Sequence, residues 1–439
     1  MTWGQVAIWD VLQWLGPDTA SLNQAAVRAV PAGRDLDDVR DAFRHLIQRH
    51  ESLRTGFTES GGELRQHVDA SVELDVPVYL AEDAEQSAEL AERVAAELAG
   101  EPFDLASRRP LRCAVIAVGT VPAHVVLTVS HMAVDGGSMR ILTADLETVL
   151  RGEYEALPPR ARQPLERAAY ESSAEGVARE ERTLRHWRRT GQAGAAATMS
   201  ALPAPADEDL DWAEIDSLAM GEATRVLAER SGAGPAVVVL GCIGRLLADL
   251  AGEQSPVIRS LTATRFNPLD QDYVGAFNQN ALLRLPTEED GVADYLRRAS
   301  TAFLAGLRAC EADPRRAEAM LGLAAQDRGF TAGSYCFFND IATGRGAVAP
   351  EPGTPLPAPE DIEAARAHTV ARPLPYAGRQ IDSKFFVFLR SLTPTVSVRL
   401  CKDRRFLSET DTVGFLRTLE RLMVDAAHAS SWKEVRDAD

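Results

Sequence analysis

Residues 125–138 read VVLTVSHMAVDGGS, an apolar run that ends in a histidine, an aspartate and two glycines. Continuous apolar runs are typical of strands buried on both faces of a sheet, so 125–129 predict a central strand. The following residues, 138–150, place apolar side chains at helical spacing and predict a helix. His131 and Asp135 therefore fall in a tight connection between a strand and a helix, where a rigid scaffold can hold reactive side chains.

The sequence on either side of this stretch predicts a mixture of helices and strands. Upstream, 35–50 have the spacing of an amphipathic helix, and 110–118 predict an apolar strand that pairs antiparallel with 125–129. In the second half, 236–251 are almost entirely apolar and predict a buried helix. Further elements are predicted as strands over 257–263, 280–285 and 335–338, a hairpin from 384–389 and 395–400, and a closing helix over 409–427.

At 439 residues, the chain is too long for one compact core and suits two domains of about 200 residues each. The first domain is predicted over 1–175. A linker is predicted over 176–209, where a charged helix precedes a stretch rich in Gly, Ala, Pro and Asp. The second domain is predicted over 210–439. Its proline-rich region, 346–380, is long enough to be a functional lid or a crossover.

Composition excludes several classes of function. A net charge of −17 and a pI of about 5.0 argue against general nucleic-acid binding, which needs a basic face. The five cysteines are scattered and form no CxxC pair, so we expect no disulfide framework, no zinc site and a cytoplasmic, reducing environment. The first residues lack the pattern of a signal peptide, and no apolar run approaches the ~20 residues of a membrane span.

The residues alone leave the chemistry of this connection open. Asp135 follows His131 by four residues and can either orient the imidazole or anchor the loop. The glycines allow a substrate to approach backbone N–H groups. The sequence has no G-x-S-x-G elbow, P-loop or H-E-x-x-H motif, which favours direct attack of one substrate on another with the protein supplying base and orientation. His131 is then either a catalytic residue or a satisfied core histidine.

Five segments resemble motifs of the condensation domains of nonribosomal peptide synthetases, and along the chain they follow the same order as in that family. Residues 130–136 (SHMAVDG) resemble the HHxxxDG motif, with serine in place of the first histidine. Residues 49–57 (RHESLRTGF) are similar to RHExLRTxF, and 102–111 (PFDLASRRPL) to PFDLxxxPL with one extra residue. Residues 5–9 resemble Q-x-x-x-W, and 275–284 (GAFNQNALLR) resemble G-x-F-x-N-x-L-x-L-R. The resemblance extends over essentially the whole chain.

This resemblance implies a fold. Condensation domains are α/β proteins with two chloramphenicol-acetyltransferase-like subdomains, arranged as a V-shaped pseudo-dimer around a central tunnel. The SHMAVDG loop would lie at the middle of that tunnel. The proline-rich region 346–380 fits the crossover that latches one subdomain onto the other.

The resemblance also implies a reaction. An amine or hydroxyl attacks an acyl or peptidyl thioester and gives an amide or an ester. The thioester is delivered on the phosphopantetheine arm of a carrier protein, so no intrinsic cofactor and no metal are expected. The acceptor comes from a second carrier protein or as a small-molecule amine or alcohol.

Residue roles follow from the same resemblance. His131 matches the catalytic histidine, acting as general base or as a positioner of the attacking amine. Gly136 matches the glycine whose N–H faces the oxyanion. Asp135 and Arg265 match a structural ion pair across the subdomain interface. If the pair is buried, loss of either member should cost about 3–5 kcal/mol and distort the loop. Gly137 is expected to have a structural role beside them.

Other positions are assigned to the frame and the tunnel. His50 and Arg54 would brace the N-terminal subdomain rather than act in chemistry. Gln279, Asn280 and Asn339 are candidate tunnel residues. Gln279 stands where the family usually has asparagine, which points to unusual substrate selectivity.

Ser130 raises a second interpretation. Because it replaces the first, usually structural, histidine, a non-catalytic recruitment module that binds carrier or tailoring proteins is an alternative to an active enzyme. A third alternative is an acyl-CoA-dependent acyltransferase, although the DFGWG motif of that branch is absent. With no adenylation segment or carrier motif, we expect a freestanding, monomeric enzyme. The charged helix 179–189 is either a docking site for an acidic carrier or a solvated linker helix.

Overall fold

The computed structural model describes residues 1–60, 63–71, 74–105, 109–263, 265–288, 291–343 and 355–437. The chain forms two compact units. The N-terminal unit consists of Met1–Val177 and Ala263–Gln279, and the C-terminal unit of Ala178–Thr262 and Asn280–Asp439.

The described residues of the N-terminal unit form six strands. They are β1 (Gln24–Ala29), β2 (Thr55–Ser60), β3 (Glu63–Val68), β4 (Val78–Ala81), β5 (Leu111–Val118) and β6 (Val121–Val129). Four of them form one sheet in the order β1-β6-β5-β4, and β2 and β3 form a separate ribbon. The β5–β6 pair is antiparallel, as the sequence predicts, with Leu111 opposite Val129. The predicted central strand therefore lies between two neighbours in this sheet.

Helices cover both faces of this sheet. The unit contains α1 (Trp3–Leu15), α2 (Leu36–Arg49), α3 (Ala84–Ala99), α4 (Gly136–Leu150) and α5 (Pro164–Glu171). Val125, Leu127 and Val129 pack in one core cluster with residues of α2 and α4, whereas Val126 packs in another with residues of α3. Alternate residues of β6 thus enter two apolar layers, which explains the uninterrupted apolar run.

In the part of the C-terminal unit that the structure describes, there are seven strands. They are β7 (Leu210–Ser217), β8 (Val257–Thr262), β9 (Gln279–Arg284), β10 (Tyr335–Asp340), β11 (Val370–Leu374), β12 (Ser383–Ser391) and β13 (Val396–Asp403). They form a mixed sheet in the order β11-β7-β13-β12-β10-β8-β9. The predicted hairpin of β12 and β13 is present and antiparallel.

Two helical layers enclose this second sheet. The helices are α6 (Ala174–Ala193), α7 (Leu218–Ser231), α8 (Pro235–Ala251), α9 (Val292–Arg308), α10 (Pro314–Gln326), α11 (Pro359–Ala365), α12 (Thr412–His428) and α13 (Trp432–Asp437). The largest core cluster joins one sheet face to α7, α8, α9 and α12. A smaller cluster on the other face, which includes Trp212 and Phe386, joins residues of α6 and α10.

The predicted linker 176–209 is not a simple connector. Helix α6 runs through its first half, and Leu184 and Trp187 of that helix are buried in the core of the C-terminal unit. Charged residues of α6 also form ion pairs with acids and bases elsewhere in that unit, including Arg179 with Glu311 at 2.5 Å. The helix is therefore packed and partly neutralised, which weakens the docking interpretation of its basic residues.

The two compact units do not have the boundaries of the two predicted domains. The prediction places all of 210–439 in the second domain, whereas Ala263–Gln279 belongs by its contacts to the N-terminal unit. The physical reason is a pair of buried ion pairs, Arg265 with Asp135 and Asp270 with Arg167, that join this segment to the N-terminal unit.

Part of the proline-rich region is regular structure rather than loop. Residues 346–354 lie outside the described residues. The remainder contains α11 and the edge strand β11, which pairs antiparallel with β7. Pro373 lies in that edge strand, where its missing N–H removes no hydrogen bond between central strands. Interpreting the whole region as a loop is therefore wrong, and the crossover stays a prediction.

All five cysteines are free and buried. Among the described residues, no single helix combines the length and apolar character of a membrane span. The helices Leu218–Ser231 and Pro235–Ala251 pass the length and composition test only when taken together, and they are bent by 98°.

Gly221 and Gly322 provide a test of packing in the C-terminal unit. A β-carbon on Gly221 in α7 would lie 2.0 Å from the carbonyl oxygen of Pro394, whereas one on Gly322 in α10 would have no neighbour within 4 Å. We expect Gly221→Ala to lower the free energy of unfolding by about 1–3 kcal/mol through overpacking. Gly322→Ala should raise it by up to about 1 kcal/mol through helix propensity. Urea unfolding measures both, and equal effects would contradict the packing described here.

Candidate active site

The connection between β6 and α4 spans six residues, 130–135. Asp135 caps α4: its backbone is extended and its Oδ1 accepts a hydrogen bond from the N–H of Ser138 at 2.7 Å. A side-chain cap of this kind satisfies one of the amides that a helix N-terminus leaves without an intrahelical partner. The loop is therefore fixed at one end by a buried strand and at the other by a capped helix.

His131 is held by the backbone of its own loop. Its Nδ1 lies 2.6 Å from the carbonyl oxygen of Val134. A carbonyl oxygen only accepts, so Nδ1 must carry the proton, and Nε2 of the neutral ring is left as the acceptor. The side chain is half-buried, and Nε2 makes no hydrogen bond with any residue in the described part of the chain. This arrangement presents a fixed imidazole with an open acceptor nitrogen.

Asp135 and Arg265 form a buried ion pair. Nη2 of Arg265 lies 2.7 Å from Oδ1 of Asp135, and the two side chains are 12% and 1% exposed. The other carboxylate oxygen, Oδ2, accepts the N–H of Phe277 at 3.2 Å. The pair implied by the resemblance is present. It lies within the N-terminal unit, because the segment that contains Arg265 packs there.

The two glycines of the loop differ in what surrounds them. A β-carbon on Gly137 would lie 2.5 Å from Nη1 of Arg265, so the guanidinium occupies the space a side chain would need. A β-carbon on Gly136 would meet nothing within 4 Å. Gly137 therefore permits the ion pair, while Gly136 leaves open space beside the first turn of α4. The first amides of that turn lack intrahelical acceptors.

Ser138, which no sequence motif assigns a role, completes the site. It is fully buried. Its hydroxyl lies 2.8 Å from the carbonyl oxygen of Gly275, 3.0 Å from the N–H of Gly275 and 3.0 Å from Nη2 of Arg265. The signal that could have revealed it is its position three residues after a helix-capping aspartate. Its partners on 273–277 are too distant in sequence for spacing to reveal.

A second buried ion pair fixes the same segment. Nη1 of Arg167 lies 2.8 Å from Oδ2 of Asp270, and its Nε lies 2.8 Å from Oε1 of Glu171. Glu171 in turn accepts the backbone N–H of Trp3 at 2.8 Å. The ring of Phe277 lies 4.7 Å from the guanidinium carbon of Arg167 and 5.2 Å from that of Arg265. These contacts join α1, α5 and the segment 263–279 within the N-terminal unit.

The profile of the Condensation domain family matches residues 4–312 of this chain. The chain belongs to the condensation-domain family.

Among curated relatives, this condensation domain is 31% identical over 303 residues to phosphinothricin tripeptide synthetase PhsC of Streptomyces viridochromogenes, covering 66% of this chain and 27% of that synthetase. It is 26% identical over 311 residues to surfactin synthase subunit 2 of Bacillus subtilis, covering 68% of this chain and 8% of that subunit. The chain thus spans about a quarter or less of these relatives.

Solved structures show the same fold. A structure described as the molecular basis for condensation domain-mediated chain release from the enacyloxin polyketide synthase matches with a TM-score of 0.67 and 18% identity. It covers 97% of this chain and 82% of that one. The fold is therefore that of condensation domains, with two α/β subdomains of the chloramphenicol-acetyltransferase type.

The RHESLRTGF segment of this condensation domain anchors α4. Nε2 of His50 and Nε of Arg49 each lie 2.9 Å from Oδ2 of Asp145, in the middle of α4. Burial lowers the pKa of His50, although the hydrogen bond that His50 donates to Asp145 opposes this. Burial raises the pKa of Asp145, but hydrogen bonds and charges from His50 and Arg49 outweigh it and the net shift is downward. A neutral imidazole thus donates to an ionised carboxylate, which is consistent with a bracing role.

Ser130 lies at a cavity of the N-terminal unit. Its side chain is buried, and its hydroxyl accepts the N–H of Met132 at 3.3 Å. It contributes to the wall of a cavity of about 560 Å³, whose apolar lining is formed by Trp9, Leu12, Phe57, Phe103 and Leu105. Serine in place of the usual histidine therefore keeps one loop hydrogen bond and leaves a small side chain at the cavity wall.

The three candidate tunnel residues lie on the seven-stranded sheet. Gln279 and Asn280 are the first two residues of β9, and Asn339 lies in β10, with β8 between those strands. All three are half-buried. Their role in a tunnel stays a prediction. In the described ranges, no group of three or more His, Cys, Asp or Glu side chains is placed to hold a metal ion.

Alanine substitutions at Gly137 and Gly136 test the ion pair between Asp135 and Arg265. Gly137→Ala places a methyl group against the guanidinium of Arg265 and should lower the free energy of unfolding by about 1–3 kcal/mol. Gly136→Ala should leave it within about 1 kcal/mol of the parent or raise it, because alanine favours the helix. Urea unfolding of both variants gives the comparison, and a neutral Gly137→Ala would show that the glycine is not needed by the pair.

His50 should make stability depend on pH. Its pKa is lowered in the folded protein, so the unfolded chain takes up a proton first as pH falls below about 6.5. Stability is therefore full above that pH and declines as the solution is acidified through the lowered pKa. His50→Gln retains a donor for Asp145 and should lose this part of the acid dependence, as measured by urea midpoints from pH 7.5 to 5.

His186 should make a second, separate contribution to the same acid dependence. Burial lowers its pKa in the same direction, and its Nε2 lies 2.8 Å from the carbonyl oxygen of Leu282. His186→Gln should remove a separate share of the acid dependence, so the double variant should have the flattest profile. Parent and His50→Gln profiles of the same shape would mean that His50 does not titrate differently in the two states.

Proposed function

We propose that this condensation domain joins a carrier-bound acyl or peptidyl thioester to an amine or hydroxyl. The observation that supports this is the geometry of His131, whose Nδ1 is bonded to the carbonyl oxygen of Val134 and whose Nε2 is left open as an acceptor. The likeness to peptide synthetases, with relatives named for phosphinothricin tripeptide and surfactin synthesis, supports the same class of reaction.

In this proposal, Nε2 of His131 accepts a proton from the attacking amine or hydroxyl, or holds that group in line. The new N–C or O–C bond forms at the thioester carbonyl carbon, and the negative charge develops on its oxygen. The amide of Gly136, in the first turn of α4, donates to that oxygen. The C–S bond then breaks, and the phosphopantetheine thiolate of the carrier leaves with the proton taken from the acceptor.

Asp135 and Arg265 act indirectly in this reaction. Their ion pair fixes the end of the loop and the start of α4, which sets the direction of the Gly136 and Gly137 amides. Orientation of the two substrates supplies much of the rate in such a reaction, since an amine attacks a thioester readily once it is neutral and aligned. The proposed reaction class implies a carrier protein as the donor and an amine or hydroxyl as the acceptor. The product bond is an amide with an amine and an ester with a hydroxyl.

His131→Asn is the sharpest test. Asparagine can still donate to the carbonyl oxygen of Val134 from near the Nδ1 position, but it has no group in place of Nε2. We expect the condensation rate to fall by about 10²–10⁴, with little change in the urea midpoint. The measurement is mass-spectrometric detection of product from carrier-loaded acyl thioesters and amine or alcohol acceptors.

His45→Gln, at an exposed histidine of α2, is the matched control and should retain the parent rate. Equal rates for the parent and His131→Asn would contradict a role for His131. Carrier binding without product from any pair would favour the recruitment module that Ser130 suggests. Turnover of free acyl-CoA without a carrier would favour an acyl-CoA-dependent acyltransferase.

A further inference from the structure

Three arginines converge on one buried carboxylate in the C-terminal unit. Glu214 of β7 is 3% exposed. Its Oε1 accepts from Nη2 of Arg372 at 2.7 Å, and its Oε2 accepts from Nη2 of Arg399 at 2.9 Å and from Arg390. Arg372 and Arg399 are the direct cross-strand partners of Glu214 on β11 and β13. All three guanidinium groups therefore lie on one face of the seven-stranded sheet.

Arg390, the third arginine of the cluster, lies at an irregularity in β12. Leu389 pairs with Val398, and Ser391 pairs with Ser397, so Arg390 is an extra residue between two paired positions. A bulge of this kind changes the direction of a side chain and occurs often beside binding sites. Arg390 follows Phe388 by two residues, so strand alternation directs it to the face on which Glu214 lies, and its guanidinium binds Oε2 of Glu214.

The cluster has more positive charge than Glu214 can balance. One carboxylate faces three guanidinium groups, whose side chains are 53%, 36% and 32% exposed for Arg372, Arg390 and Arg399. Asp216, two residues further along β7, forms no ion pair with any of the three within the described ranges. Each arginine has five N–H donors, so most of these donors are not used by Glu214.

On the same face of the sheet, an aromatic side chain and an amide lie next to the arginines on the neighbouring strands. Phe388 of β12 pairs with Arg399, and Asn339 of β10 pairs with Phe388. Phe388 is half-buried and stacks on Phe386 at 4.5 Å between ring centroids. Adjacent strands are about 4.8 Å apart, so Arg399 and Asn339 are separated by roughly 10 Å. Cationic, aromatic and amide groups thus follow one another over the length of a small molecule.

We infer that this row, Arg372, Arg390 and Arg399 with Phe388 beside them, is a binding site for a small organic oxyanion, a carboxylate or a phosphate with an apolar body. Glu214 orients the guanidinium groups, and their remaining donors bind the oxyanion. Arginine forks match the planar geometry of carboxylate and phosphate oxygens. The apolar body of the ligand packs on Phe388. The inference does not depend on the condensation reaction proposed above.

Calorimetric titration of the full chain tests the site. The probes are 3-phenylpropanoate, its neutral amide and pantetheine 4′-phosphate, each at low and high salt. We expect one of the two anions to bind with a Kd of about 1 mM or tighter, more weakly at high salt. The neutral amide should not bind. Carboxylate binding identifies a free organic acid as the ligand, and binding of the phosphate alone identifies a phosphate ester.

Substitutions show whether binding of the anion depends on the arginines of this row. Arg390→Gln and Arg399→Gln should each weaken binding about tenfold, since each removes a charge-assisted hydrogen bond. Arg404→Gln, at an exposed arginine paired with Asp211, should bind as the parent does. His131→Asn should also bind normally, which separates this site from the reaction chemistry. Where Arg390→Gln fails to fold, Arg390→Lys keeps the charge and should show a smaller loss.

Three results would overturn the inference. They are no binding of either anion by the parent, equal binding of the acid and its amide, and unchanged affinity in folded Arg390→Gln and Arg399→Gln.

Discussion

The buried ion pair between Asp135 and Arg265 is the contact on which the geometry of the loop depends. One oxygen of Asp135 accepts from Arg265 and from the N–H of Ser138, and the other accepts from the N–H of Phe277. An ionised carboxylate is stable in a site this dry only when hydrogen-bond donors surround it. The carboxylate thereby fixes the start of α4, the side chain of Arg265 and the backbone near Phe277. His131, four residues earlier, is held in the loop that this cap closes.

Helix α4 is anchored a second time, ten residues after its cap. Asp145 accepts from His50 and Arg49 at the end of α2. Two buried carboxylates on one helix thus bind basic side chains from two different parts of the chain. In the proposed reaction, His131 on its short loop needs such support, because a displacement of about 1 Å is costly in a reaction that depends on alignment. The RHESLRTGF segment, which contacts no reacting atom in the proposed mechanism, has its physical purpose here.

The predictable parts of the structure are those whose signal is local. The apolar run of β6 and the periodicity of α2 and α8 identify these elements, and the apolar stretch 110–118 identifies β5 as the antiparallel partner of β6. No element is predicted over 210–231, where β7 and α7 lie. Glu214 and Asp216 interrupt the apolar pattern of β7, and the arginines that neutralise Glu214 come from strands more than 150 residues away.

At the site too, the sequence predicts local features but not contacts between distant parts of the chain. The HHxxxDG-like motif leads to His131, Asp135 and Gly136, and the resemblance supplies Arg265. The reason for Gly137 becomes visible only when the guanidinium of Arg265 is seen in the space of its missing side chain. Ser138 and the carbonyl of Gly275 are likewise joined only by the fold.

The path of the chain between β8 and β9 has a consequence for genetics and engineering. The polypeptide leaves the C-terminal unit at Thr262, contributes Ala263–Gln279 to the N-terminal unit and returns at Asn280. No single cut therefore yields two complete halves: a fragment ending before residue 178 lacks Arg265 and leaves Asp135 uncompensated. Recombination between homologous condensation domains at the apparent junction near 176–209 would take Asp135 from one parent and Arg265 from the other. Exchange of the first unit preserves all of its contacts with Ala263–Gln279, such as that between Ser138 and Gly275, only when this segment is exchanged with it.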